Sequence, residues 1–298
     1  MTDVRRLDGP PGAATLYPRA VAGSFALPLL RKVPLLPPGR PDGLPDVELA
    51  LDDIELDRER IAGYARVCGF PVRDTLPGTY LHVLAFPLAM RLMTDSAFPF
   101  GVLGLVHVEN AITHVRPVGA GERPSIRVRA EDLRDHPRGR QFDVVAEATI
   151  DGETVWTGRS TYLRRGGGGG SGDGKRGDRP APPQPTAVWD IPGDIGRRYG
   201  AVSGDRNPIH LHPLSARVFG QPGAIAHGMW LKARSLAALE PSLPDAYTVE
   251  VAFKRPVVLP AKVAFSTSRD GDARAFALHD AKRGIPHLEG RVAPSAVG

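Results

Sequence analysis

The sequence repeats one set of short patterns on either side of a segment rich in glycine and proline. Residues 64–70 (YARVCGF) align with residues 199–205 (YGAVSGD), and residues 77–84 (PGTYLHVL) align with residues 222–229 (PGAIAHGM). Further along, each part has a Val-Glu pair followed by Arg-Pro-Val, within 108–118 and within 249–257. Matches in the same order indicate a duplication, so we expect two halves with the same fold.

The segment between the repeats, residues 166–185, predicts a linker. It joins a Gly/Ser run to a Pro-rich tail, which is typical of a chain that is flexible and then extended. No Gly-Lys-Ser/Thr sequence follows the glycines, so a linker is favoured over a phosphate loop. We predict an N-terminal half with an N-terminal arm at 1–165, the linker at 166–185 and a C-terminal half at 186–298.

The sequence pattern of each half predicts a short helix, a loop, a longer helix and then several strands. The longer helix is predicted over 84–94 in the first half and over 228–239 in the second. Strands are predicted at 104–112, 125–131, 142–150, 153–162, 247–253, 262–268 and 273–279. An apolar helix followed by an antiparallel meander favours a sheet wrapped around that helix, with the two sheets joined. The predicted fold class is therefore α+β, a double hot-dog fold.

Composition and charge exclude several classes of protein. The 298 residues are 42% hydrophobic and 24% charged, which is ordinary for a globular protein. The 38 Lys and Arg and the 33 Asp and Glu are interspersed, which disfavours a nucleic-acid partner, although the excess of +5 suits an anionic ligand. Cys68 is the only cysteine, as suits a reducing compartment. The apolar segment at 20–30 is too short to span a bilayer and has no cleavage pattern, so we expect a cytoplasmic protein with no membrane partner.

The second half contains the residues best suited to chemistry. Asp205 and His210 lie five residues apart, with Pro208 stiffening the loop between them. A carboxylate and an imidazole are common general acids and bases. Gly228 lies at the predicted start of the longer helix, where free N–H groups and the helix dipole favour negative charge. Its missing side chain would let a ligand approach the backbone closely.

The pattern SGDxNPxH over 203–210, with AHGM at 226–229, resembles the signature of MaoC-like (R)-specific enoyl-thioester hydratases. The full arrangement resembles the actinobacterial double hot-dog (3R)-hydroxyacyl-thioester dehydratases over nearly the whole chain. The resemblance implies reversible conversion between trans-2-enoyl and (3R)-3-hydroxyacyl thioesters of coenzyme A or acyl carrier protein, in fatty-acid or polyketide-type metabolism. It implies no cofactor and no metal. It also implies that Asp205 and His210 hold one water and that Gly228 donates to the enolate oxygen.

Three further residues of the motif are expected to support this site. Asn207 is expected to orient the loop or its aspartate by an amide hydrogen bond. Ser203 is matched by Cys68 in the first half, so a small buried residue is predicted there. His227 is matched by His82, which favours a structural role for His227.

The first half lacks the candidate catalytic residues. Phe70 stands in place of Asp205, and Val83 stands in place of Gly228. The whole Asn-Pro-x-His segment is missing, so only one active site is predicted. The first half is expected to supply the partner surface and a tunnel for the acyl tail, for which the apolar candidates, equally interpretable as core, are Phe86, Leu88, Met90, Phe98 and Phe100.

The sequence leaves open the role of two basic residues and the oligomeric state. Lys254 and Arg255 are candidates for contact with a coenzyme A phosphate, or are exposed charges at a strand end. The fused halves already form a pseudo-dimer, so a monomer and a homodimer are both compatible with the sequence.

Three other functions compete with this interpretation. The first is a metal-dependent hydrolase that uses Asp205, His210 and His212, because a His-x-His pair on a strand projects to one face. The second is a hot-dog thioesterase, which usually has a carboxylate on or near the central helix, where 228–239 has none. The third is a silent acyl-thioester binder or accessory subunit.

Overall fold

The computed structural model describes residues 3–12, 42–102, 104–166 and 182–295. The predicted arm at 20–30 and most of the predicted linker lie outside the described residues. The helices are α1 Arg58–Cys68, α2 Tyr80–Met93, α3 Ile195–Ser203, α4 Pro208–Leu211, α5 Pro213–Val218 and α6 Gly228–Leu239, followed by a 3₁₀ turn at Glu240–Ser242. The strands are β1 Asp3–Arg6, β2 Val47–Leu51, β3 Leu105–His114, β4 Ser125–His136, β5 Gly139–Ile150, β6 Glu153–Arg165, β7 Ala187–Ile191, β8 Tyr247–Phe253, β9 Ala261–Asp270, β10 Ala273–Asp280 and β11 Pro286–Pro294.

The strands of the described residues form one 11-stranded sheet in the order β1-β2-β4-β5-β6-β3-β8-β11-β10-β9-β7. The first half contributes β2-β4-β5-β6-β3, and the second contributes the same order in reverse, β8-β11-β10-β9-β7. The two halves meet where β3 pairs antiparallel with β8, from Glu109 opposite Ala252 to His114 opposite Tyr247. The short parallel strand β1 extends the edge at β2. This symmetric arrangement agrees with the predicted double hot-dog fold.

Each half wraps its sheet around one apolar helix. Helix α2 packs on β2, β4 and β5, and helix α6 packs on β11. Both helices are apolar around much of their circumference, which favours burial rather than a surface position. The predicted bounds of α6 are confirmed. Helix α2 begins four residues before the predicted start at 84. Thr79 is the N-cap residue, but its hydroxyl bonds to the Tyr64 hydroxyl at 2.7 Å instead of capping the helix.

Strand β11 was not predicted, because its sequence breaks the local pattern of a strand. It begins and ends with proline and contains Gly290, residues that weaken a strand prediction. Its pairing with β8 on one side and β10 on the other holds it in place. Strands β1, β2 and β7 at the two ends of the sheet were also missed, and each is only four or five residues long.

Side chains also join the halves across their shared face. The Trp230 indole N–H on α6 donates to the carbonyl of Val67 on α1 at 3.0 Å. The fully buried Lys232 Nζ on α6 donates to the carbonyl of Asn110 on β3 at 3.2 Å and to its side-chain oxygen. These bonds tie the central helix of the second half to the first half. Among the described residues, no helix has the length and hydropathy needed to cross a membrane.

Candidate active site

The loop that carries Asp205 begins where α3 ends. Gly204 adopts the left-handed conformation, with φ 79°, and ends the helix. The Ser203 hydroxyl donates to the carbonyl of Tyr199 at 2.8 Å and accepts the Asp205 amide N–H at 3.2 Å. The Asp205 carboxylate accepts a hydrogen bond from the backbone N–H of Asn207 at 3.1 Å. Ser203 therefore fixes the backbone of the candidate catalytic aspartate.

This loop lies directly against α3, and two glycines make the contact possible. A Cβ at Gly196 would lie 1.9 Å from the carbonyl oxygen of His210, and a Cβ at Gly200 would lie 2.8 Å from that of Asp205. Both distances are shorter than van der Waals contact, so a side chain at either position would push the loop away. Neither glycine was among the residues predicted for the site. Their spacing of four residues on a predicted helix was the available signal.

His210 is held in a defined orientation on the short helix α4. The Asn207 side chain caps that helix by accepting the Ile209 N–H at 3.4 Å, and Pro208 occupies its first position. Because a carbonyl only accepts, the 2.8 Å bond between His210 Nδ1 and the Ile225 carbonyl places the ring proton on Nδ1. Nε2 of the neutral ring is then the basic nitrogen. Burial lowers the pKa of His210, although the nearby Asp205 raises it, so the ring is neutral near pH 7.

His227 supports both candidate catalytic residues. Its Nε2–H donates to the backbone carbonyl of Asp205 at 3.0 Å. Its ring stacks on the His210 ring, with centroids 3.7 Å apart and planes 25° apart. Burial, followed by the neighbouring His210, lowers the pKa of His227 to about 3. A neutral His227 therefore positions the Asp205 backbone and packs against the His210 ring.

Asp205, His210 and His227 form a compact cluster. One nitrogen or carboxylate oxygen from each lies within 4.8 Å of the others. A water bonded to two groups at about 2.8 Å each fits a separation of this size. A metal ion fits less well, because ligating nitrogens point their lone pairs along their ring planes and the two stacked rings are nearly parallel. His212 is not part of this cluster. Its Nδ1 accepts a hydrogen bond from the Leu214 N–H and caps α5.

Gly228 is the first residue of α6. Its N–H therefore has no acceptor within the helix and lies at the positive end of the helix dipole. A Cβ at this position would lie 2.9 Å from the Phe253 ring. The absence of a side chain thus lets Phe253 pack against the start of the helix.

The predicted binding residues have different surroundings. On α2, Met90 is buried and Phe86 is half-buried. Leu88 and Phe98 are fully buried, and the Phe98 ring contacts Phe100 at 6.4 Å between centroids.

The two basic candidates lie just beyond β8. Lys254 forms an ion pair with Glu289 at 2.9 Å, so its charge is already matched by a carboxylate. The Arg255 carbonyl accepts a hydrogen bond from Nδ1 of His287 at 2.9 Å. A phosphate contact by either side chain stays a prediction.

The fold and this cluster together describe a double hot-dog protein with Asp205, His210 and His227 brought together in its second half. Residues 179–290 match the family model described as a MaoC like domain. The chain is 37% identical over 276 residues to 3-hydroxyacyl-thioester dehydratase X of Mycobacterium tuberculosis, covering 92% of this chain and 95% of that protein.

Solved structures give the same result. The crystal structure of HtdX of M. tuberculosis superposes with a TM-score of 0.75 at 35% identity, covering 83% of this chain and 100% of that chain. A MaoC-like dehydratase from Phytophthora capsici shares the fold, with a TM-score of 0.68 at 19% identity, covering 83% of this chain and 95% of that chain. The chain belongs to the MaoC-like dehydratase family, in its double hot-dog form.

Proposed function

We propose that this protein is a hydro-lyase that interconverts trans-2-enoyl thioesters and (3R)-3-hydroxyacyl thioesters. One observation carries the proposal: a carboxylate oxygen of Asp205 and a ring nitrogen of His210 lie within 4.8 Å of each other. Family membership supports it, since the 37% identical relative is named as a 3-hydroxyacyl-thioester dehydratase.

In the hydration direction, the pair would hold one water against the substrate. The water oxygen forms a bond to C3, the C2–C3 π bond breaks, and a proton is delivered to C2. One member of the pair accepts the proton that the water loses, and the other supplies or relays the proton to C2. Because both contact the same water, the two additions occur on one face of the substrate. Dehydration is the same sequence in reverse.

The thioester oxygen gains negative charge while C2 is a carbanion equivalent. The Gly228 N–H at the start of α6 is our proposed donor to this oxygen, and such a donor is worth about 3 kcal/mol in the transition state. Asn207, Ser203 and His227 act through the loop rather than on the substrate. Asn207 caps α4, Ser203 accepts the Asp205 N–H, and His227 donates to the Asp205 carbonyl.

We propose that the first half, 1–165, binds the acyl tail, that 166–185 links the halves and that 186–298 performs the chemistry. The substrate is an acyl thioester of coenzyme A or of acyl carrier protein. Phe86 and Met90 on α2 remain our candidates for contacts with the tail, and Lys254 and Arg255 for contacts with the carrier phosphate.

The first test is the loss of enoyl-thioester ultraviolet absorbance with trans-2-enoyl-CoA substrates of increasing length. Wild type should consume them and yield a (3R) product, whereas Asp205→Asn and His210→Gln should not. Activity that survives both substitutions refutes the acid–base pair. If wild type is inactive on coenzyme A thioesters, the same assay with acyl-carrier-protein thioesters decides between the enzyme and a silent binder.

A thioesterase is the alternative that the same assay separates. Helix α6 carries no carboxylate, and its buried charged residue is Lys232. Release of free thiol from a saturated acyl-CoA would favour hydrolysis, while absorbance loss without free thiol favours hydration.

A further inference from the structure

An irregularity in β3 turns one histidine toward the interior of the first half. The pairing of β3 with β6 shifts register between His107 and Glu109. Such a bulge reverses the alternation of side chains beyond it. His107 is opposite Tyr162, and Asn110 is opposite Ser160, so both β3 residues lie on the inward face that carries Ser160 and Tyr162.

The His107 ring belongs to a row of aromatic rings that starts at the candidate active site. We call Phe253, His107, Tyr162 and Phe142 the aromatic row. His107 lies 5.0 Å from Phe253 and stacks on Tyr162 at 4.8 Å, and Tyr162 stacks on Phe142 at 5.6 Å, all between centroids. Phe253 in turn packs against Gly228. The row therefore leads from the proposed oxyanion donor into the first half.

One nitrogen of His107 has no hydrogen-bond partner in the part of the chain that the structure describes. Its Nε2 is buried and makes no hydrogen bond to any residue that the structure describes. The ring bonds to the backbone of Glu109 in a way that raises its pKa, as a donating Nδ1–H does, but burial dominates and lowers the pKa to about 3. The ring is thus neutral, and Nε2 presents a lone pair. A buried acceptor without a donor is unfavourable unless something occupies it.

The candidate catalytic aspartate acts electrostatically on two rings of the row. Burial is the largest influence on the pKa of both His107 and Tyr162, and the Asp205 carboxylate raises each of them as well. If the thioester carbonyl binds at Gly228 and C3 lies beside Asp205 and His210, we place the chain beyond C3 along the row. This orientation rests on the proposed function.

We propose that His107 accepts a hydrogen bond from a hydroxyl group on the acyl chain beyond C3, so that the site selects hydroxylated acyl thioesters over plain alkyl ones. The neighbouring rings suit the carbon chain, and Nε2 is the polar group that fixes its position. A site built to bond a hydroxyl discriminates against the analogue that lacks it, because its own buried group is then unpaired.

The affinity of the protein for saturated acyl-CoA thioesters tests this hydroxyl preference without any turnover. Isothermal titration calorimetry would compare octanoyl-CoA with 5-, 6- and 7-hydroxyoctanoyl-CoA. Wild type should bind at least one hydroxylated compound about five- to tenfold more tightly than octanoyl-CoA, the range of one neutral hydrogen bond. His107→Phe keeps a ring between Tyr162 and Phe253 but removes the acceptor, and it should abolish the preference while leaving the affinity for octanoyl-CoA similar.

His279→Phe is the matched control. His279 also has a buried nitrogen, Nδ1, without a partner among the described residues, but it lies on β10, and Glu289 rather than Asp205 raises its pKa. This variant should keep the preference, and thermal melts of both variants show whether each is folded.

Two results would overturn the proposal: equal affinity of wild type for all four compounds, as when a water occupies Nε2, or a preference that survives His107→Phe. Because the ligands are saturated, a failure of the hydratase assay would leave this result readable on its own.

Discussion

The two halves share a sheet order but differ where the central helix begins. By the sequence alignment, Tyr80 matches Ile225 and Val83 matches Gly228. Helix α2 begins at Tyr80, whereas α6 begins three residues later in the alignment, at Gly228. The Val83 N–H is therefore inside its helix and bonded to a preceding carbonyl, while the Gly228 N–H has no acceptor within its helix. The first half therefore has no helix start at the position of Gly228, and it has no counterparts of Asp205 and His210.

The short helices before the central helix differ in a matching way. In α3, Gly196 and Gly200 let the 205–210 loop lie on the helix. In α1, Ile61 and Ala65 occupy the matching places, and no such loop follows. The comparison teaches that a hot-dog half keeps its fold without the 205–210 loop, because this loop lies outside the sheet and the central helix.

The largest expected effect comes from removing the acid–base pair. Asp205→Asn or His210→Gln should lower kcat/KM for enoyl-thioester hydration by about 10²–10⁴-fold, the usual range for general acid–base catalysis. The matched change in the first half, Phe70→Leu, should leave kcat/KM nearly unchanged, since Phe70 is a buried core residue. An equal loss in Phe70→Leu would show that the first half takes part in the chemistry.

The next effect sharpens the comparison of the helix starts. Gly228→Ala places a Cβ 2.9 Å from the present position of the Phe253 ring, so we expect kcat to fall by roughly 10²-fold, as for a disturbed oxyanion donor. Val83→Ala should not lower kcat comparably. Adding Phe253→Leu to Gly228→Ala should restore part of the activity by relieving the contact. Complete independence of the two substitutions would argue against this steric cause.

Acid should destabilise both halves alike. Burial lowers the pKa of His227 in the second half to about 3 and that of His114 in the first half to about 4. Because the unfolded side chains titrate near 6.5, the unfolded state binds more protons below that pH. Stability should therefore fall from about pH 6.5 toward pH 4, by roughly 2 kcal/mol per buried histidine at pH 5.

Urea unfolding at pH 7 and pH 5 measures this dependence. His114→Gln and His227→Gln should each reduce the difference between the two pH values, whereas the exposed His212→Gln should not. A pH dependence unaffected by either buried substitution would assign acid sensitivity to other groups.

The smallest expected effect concerns the contact between the halves. Lys232 on α6 bonds Asn110 on β3, and the aligned residue in the first half is Pro87, which cannot make such a bond. Lys232→Met leaves the Asn110 oxygen without its donor, so the free energy of unfolding should drop by about 1–3 kcal/mol. Adding Asn110→Leu should recover part of it. A loss of activity at unchanged stability would instead give Lys232 a role at the active site.

The sequence predicted the duplication, the bounds of α6 and the residue types of the site, because each depends on a local pattern. Helix periodicity and the glycine at the helix start are read within one segment. The roles of Asp205, His210 and Gly228 stay predictions. The structure nevertheless brings Asp205 and His210 together and places Gly228 at the first position of α6.

Contacts between distant segments decided the rest. At the start of α2, the Thr79 hydroxyl bonds to Tyr64 of the preceding helix, and β11 pairs with two neighbouring strands. The inward turn of His107 follows from a bulge in its pairing with β6, which no alternation within β3 reveals. The sequence alone determined which groups are available for acid–base chemistry. Only the tertiary structure decided which buried side chains face the candidate active site, since strand pairing and helix packing set the direction of each side chain.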